Sequence, residues 1–69
     1  MKKLTIGDKV LCKYYNTPEG RFYGESFIAV IISTTAREEY NPPRDFAVCR
    51  EDDKRIVTVN RREIRKRIK

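Results

Sequence analysis

Sixty-nine residues, 16 of them Lys or Arg and 10 Asp or Glu, leave room for one domain, residues 1–69, with a net positive charge. Hydrophobic residues make up 39% of the chain and charged residues 38%, which is too apolar for a disordered tail yet highly charged for a globule. No apolar run approaches the ~18 residues of a membrane span, and the first residues lack the apolar segment of a signal peptide, so a cytoplasmic protein without a membrane role is expected.

The elements follow in chain order from alternation and punctuation. Gly7-Asp8 precedes the alternating run 9–15, read as a first strand. Residues 16–20 (Asn-Thr-Pro-Glu-Gly) form a turn, with Pro18 fixing φ and Gly20 free to take positive φ. After Phe22-Tyr23-Gly24, residues 27–34 are β-branched and aromatic and read as a buried second strand. Residues 35–44 hold Pro42-Pro43 and read as a loop. Residues 45–50 give a third strand, 51–54 a tight polar turn, and 55–59 a fourth strand, the last two paired as a hairpin. Residues 60–69 admit two readings. Asn60-x-x-Glu63 has the form of a capping box, and Ile64 and Ile68 share one helix face, which suits a short C-terminal helix. The same spacing is even, so both isoleucines also share one face of a strand. In that reading 60–63 is a single 3-10 turn and 64–68 a closing strand. Short strands at intervals of about ten residues favour a mainly β chain, a small five-stranded barrel.

The charge is unevenly placed. Residues 54–69, KRIVTVNRREIRKRIK, carry eight basic residues and one acid, +7, whereas residues 1–53 carry eight basic and nine acidic, −1. Crowding like charges costs self-repulsion, which a polyanion relieves while releasing its own counterions. Arg outnumbers Lys here, and its planar fork suits phosphate. The candidate phosphate contacts are Arg55, Arg61, Arg62, Arg65, Lys66, Arg67 and Lys69. In the strand reading Ile64 and Ile68 point inward and Lys66 starts inward with them. Tyr14 and Tyr23 read either as rim packing with a wet hydroxyl or as a stacking platform for bases beside the basic surface.

Other chemistries find little footing. The sequence has no His and no Cys-x-x-Cys, so no zinc site and no cofactor is expected. Cys12 and Cys49 lie in alternating runs and read as reduced thiols. Glu51-Asp52-Asp53 reads as a solvated turn, not a metal site. No nucleophile elbow or phosphate loop occurs, so an enzyme is not expected.

The stretches "IGDKV", "EGRFYGESFIAVIIST" and "FAVCREDDKRIVTVNRREI" together resemble the Tudor and related SH3-like barrels. The resemblance runs from Ile6 to about Ile68 and implies their five-stranded barrel fold. It implies Tyr14 and Tyr23 at the two aromatic positions of a methyl-cation cage, and it places Arg50 and Asp53, neither aromatic, near the other two. Half a cage beside an Arg does not suit a methylated cation. The texture of Ile56 to Ile68 is also similar to the DNA-binding C-terminal domain of retroviral integrases, which implies the same kind of partner as the charge.

The expectation is a non-catalytic nucleic-acid-binding barrel, DNA or RNA, held through phosphates with little sequence specificity. The competing expectation is a protein–protein interaction module, a phage or mobile-element accessory factor gripping a peptide or host protein by the barrel rim and the 35–44 loop. Its exposed strand edges allow a monomer or a homodimer.

Overall fold

The structure, a computed structural model, describes residues 3–14, 24–39 and 43–68. Five strands appear where alternation placed them: β1 Lys9–Cys12, β2 Phe27–Ser33, β3 Phe46–Arg50, β4 Ile56–Val59 and β5 Ile64–Ile68, with one 3-10 turn, η1, at Arg61–Glu63. All neighbours are antiparallel, in the order β4-β3-β2-β1-β5. The strand reading of the C-terminus therefore holds. Its capping box also forms, because Asn60 and Glu63 satisfy each other's backbone N–H, but it caps a three-residue turn and not a longer helix. The ladder is open. β4 and β5 are its two edges, joined by η1 and not by strand pairing.

Alternation separates two faces. Directly opposed residues share a face, so Val10, Ala29 and Arg50 lie on one side, with Cys12, Phe27 and Ile64 in the next row. That side is the core: Leu4, Val10, Cys12, Phe27, Ala29, Ile31, Val48, Val59 and Ile64 are buried together, with Tyr14, Phe46 and Val57 packed against them. The other side carries Leu11, Ile28, Val30, Cys49 and Ile56. Cys12 and Cys49 thus sit on opposite faces, and both are free thiols. Burial first, and the charge of Glu63 second, push the Cys12 thiol up to about 12.

The Gly-Asp motif is a structural device. Gly7 takes φ +97°, a conformation open to glycine at little cost. It turns the chain so that Asp8 Oδ2 accepts the Thr5 N–H at 2.9 Å. The Gly7 N–H donates to Ile31 O at 2.8 Å and the Ile31 N–H to Asp8 O at 2.9 Å, which fixes the start of β1 against β2. At the far hairpin Lys54 adopts φ +61°, an uncommon state for a residue with a Cβ. Asp53 accepts the Arg55 N–H at 3.0 Å, and the Arg50 N–H reaches Arg55 O at 2.9 Å, so the turn is held from both sides. The expected 35–44 loop is partly ordered into an extension of the β2–β3 hairpin, through a Glu38–Arg44 bridge.

Candidate functional site

The basic segment depends on one irregularity in β5. Strict alternation from Ile64 sends Lys66 and Ile68 inward. The observed partners of Cys12 and Leu11 are Ile64 and Lys66, so Arg65 is an extra residue in the β5 ladder, a β-bulge. Beyond it the side chains change face. Ile64 stays buried, Arg65 and Lys66 are both exposed, and Arg67, not Ile68, comes to lie opposite Val10 on the core side. The expected inward placement of Lys66 and Ile68 is thereby corrected. Immediately before β5, Arg61 and Arg62 are exposed on η1. The turn that presents them is fixed by the Asn60 N–H donating to Glu63 Oε1 at 2.8 Å and the Glu63 N–H donating to Asn60 Oδ1 at 3.0 Å. Arg61, Arg62, Arg65 and Lys66 are therefore all exposed, two on the capped turn and two at the bulge that follows it.

Arg67 behaves differently from its neighbours. Its Nε is buried without a hydrogen bond and lies 3.6 Å from Asp8 Oδ2. An Nη donates to Lys3 O at 3.2 Å. The residue ties the last strand to the Gly-Asp turn and the N-terminal segment, so this expected phosphate contact is turned toward the protein. Arg55 is exposed at the other end of β4, 4.0 Å from Asp53. Lys69 and Tyr23 lie outside the described residues.

The aromatic positions assemble into a cluster whose rings already have cations. Tyr14 and Phe27 stack in a tilted pair with centroids 5.4 Å apart. The Arg44 guanidinium stands over Tyr14 at 5.8 Å and that of Arg50 over Phe27 at 4.4 Å. Arg50 is fixed in turn by Asp52, with Nη2–Oδ2 2.7 Å and Nε–Oδ1 3.1 Å. The hydrogen bond from Arg50, and the backbone N–H of Asp53, hold the Asp52 carboxyl down at about 2. Arg44 lies 3.7 Å from Glu63, whose side chain has no exposed area. Tyr14 is thus partly buried, with Phe27 and the Arg44 guanidinium against its ring. Tyr14 and Arg50 both border the Phe27 ring.

The Glu51-Asp52-Asp53 carboxylates are directed at Lys9, at Arg50 and Arg55, and at turn backbone. Among the described residues no group of His, Cys, Asp and Glu is placed to hold a metal ion, and no helix is long and apolar enough to cross a membrane. Two members of the site escaped sequence reasoning. The capping-box spacing flagged Glu63, but a lone acid in a basic run gives no sign of being buried. Arg44, beside two prolines, looked like loop surface.

Compared with protein-family models, with curated protein sequences and with solved structures, the chain matches none. What fold and site define is a small, mainly β protein: a single five-stranded antiparallel sheet with a cationic turn and edge strand.

Proposed function

We propose that this protein binds nucleic acid through the phosphate backbone, using Arg61, Arg62, Arg65 and Lys66 as its principal contacts, and performs no catalysis. The observation that carries this reading is the bulge at Arg65. It leaves Arg65 and Lys66 exposed side by side and continues the exposed Arg61–Arg62 pair of η1. A strand without the bulge directs one of every two side chains inward and interrupts the row. Four cations on a fixed backbone gain more from a polyanion than four on a flexible tail, because less conformational freedom is lost on binding. Recognition is by charge with little base discrimination: the described residues contain no α-helix to enter a major groove, and Tyr14 is already packed. Arg55 and Lys69 add to the same field, and Arg67 positions β5. We read the fold as an SH3-like barrel variant working in the cytoplasm. Its aromatic cluster is closed to methylated side chains by Arg44 and Arg50.

The test is a binding titration against duplex DNA, single-stranded DNA and RNA at three salt concentrations between about 50 and about 200 mM. Four phosphate contacts on duplex DNA give a slope of log K against log salt of about −3.6. Reversing Arg61, Arg62, Arg65 and Lys66 to Glu removes binding while Arg67 still holds the fold. A flat salt response, or unchanged affinity in the reversed variant, would refute the proposal.

A further inference from the structure

The two edges of the open sheet are built differently. β5 is IRKRI, and pairing it with another β5 sets like charges against each other, a common guard against edge-to-edge association. β4 is IVTV: β-branched, with no proline, no charge and no bulge. Among the described residues no strand lies on its outer side. The Arg50 N–H donates to Arg55 O, so by the alternation of antiparallel ladders Arg55, Val57 and Val59 direct their backbone groups to β3. Ile56 and Thr58 then direct theirs to the open edge. Ile56 is also 62% exposed, unusually so for a strand isoleucine.

We propose that this edge pairs with the β4 edge of a second copy, giving an antiparallel dimer whose two sheets run on as one. Charge fixes both the partner and the register. Pairing centred on Val57 sets Ile56 opposite Thr58 twice, which uses the outward groups of both strands and covers Ile56. It also brings Arg61 of one copy toward Asp53 of the other, and Arg62 toward Asp52. Asp52 and Asp53 are about half exposed, and opposite charges facing each other across a strand pair stabilise it. A register centred on Thr58 brings Arg61 to Arg55 and Arg62 to Lys54, like against like. One centred on Ile56 brings Arg62 to Arg50, like against like, and keeps a single opposite pair, Arg61 to Glu51. The flanks therefore favour the Val57-centred alignment, with two opposite pairs against one or none in its neighbours. Arg65 and Lys66 belong to the opposite edge and take no part, whereas Arg61 and Arg62 are shared with the nucleic-acid reading, so dimer formation and polyanion compete for those two side chains. The dimer carries two Arg65–Lys66 pairs, one on each outer edge.

The experiment is sedimentation equilibrium of the full chain across protein concentration, alongside hydrogen exchange. A monomer–dimer equilibrium is expected, with the Ile56 and Thr58 amides protected only as dimer forms. Proline is tolerated on an edge strand where its missing N–H faces solvent. Thr58→Pro should therefore fold and weaken dimerisation by about tenfold or more. Charge exchange gives a control that leaves the strand intact. Arg61→Asp alone and Asp53→Lys alone each weaken self-association, and the two variants mixed recover it as a heterodimer. A chain still monomeric at about 1 mM overturns the proposal. So do open-ended growth, a dimer with Ile56 and Thr58 unprotected, and two variants that fail to recover on mixing.

Discussion

Two groups of cations contrast in this molecule, and the contrast between them explains the C-terminal surface better than the net charge does. Lys9, Arg44 and Arg50, before residue 54, lie within 4 Å of carboxylates at 3.0, 3.7 and 2.7 Å respectively. Arg44 and Arg50 also cover aromatic rings. Arg44 and Arg50 act as struts of the fold, and Lys9 makes an exposed ion pair. In the C-terminal segment Arg61, Arg62, Arg65 and Lys66 stand exposed on a capped turn and a bulged edge. The exception is instructive. Arg67 follows the bulge, so its side chain falls on the core side and joins the struts. Whether an arginine is structural or displayed depends here on the parity of its position in a ladder, and the bulge sets that parity.

The contrast breaks most severely at Glu63. It serves the inward group, through Arg44, and also presents the outward one, by capping η1. Glu63→Ala leaves the Asn60 N–H and Arg44 without this carboxylate inside the fold. It should cost about 3 kcal/mol, a large share of the stability of so small a domain. Urea denaturation measures the loss, and a cost under about 1 kcal/mol contradicts the strut role.

A sharper contrast comes from two arginines, one on each side of Lys66. Arg67→Ala should lower stability by about 1 kcal/mol, a modest figure because the ion pair is partly exposed, and should leave the salt slope of nucleic-acid binding nearly unchanged. Arg65→Ala should do the reverse: stability within about 0.5 kcal/mol and a slope shallower by about 0.9. Equal effects from the two would dissolve the distinction.

The smallest effect lies at Asp52, whose bond to Arg50 helps hold that guanidinium over Phe27. Its carboxyl is depressed in the folded state, so the stability it confers is present above the unfolded-state pKa of about 4 and is lost as pH falls through about 2. Asp52→Asn should flatten the decline in urea midpoint between those values relative to the parent protein. Parallel declines would show that Arg50 is held without it.

Much of this architecture was legible in the residues. The five strands follow from alternation and from turn chemistry at residues 51–54, and the Asn60–Glu63 box follows from its spacing. The bulge was not legible. One extra residue in a ladder arises from the fit of β5 against β1 and leaves no local mark in the basic stretch "RREIRKR". That single shift moved Lys66 and Ile68 out and Arg67 in. The packing of Tyr14 against Phe27 and Arg44 was not legible either, because it rests on contacts between segments distant in sequence.

The most direct test of the display is an NMR titration of the full chain with a short DNA duplex at low salt, following backbone and arginine side-chain signals. The expected result is that Arg61, Arg62, Arg65 and Lys66 shift together and return as salt is raised, while Arg44, Arg50 and Arg67 stay in place. Shifts centred on the Tyr14 cluster or on residues 34–45, with the η1 and β5 signals unmoved, would contradict the account.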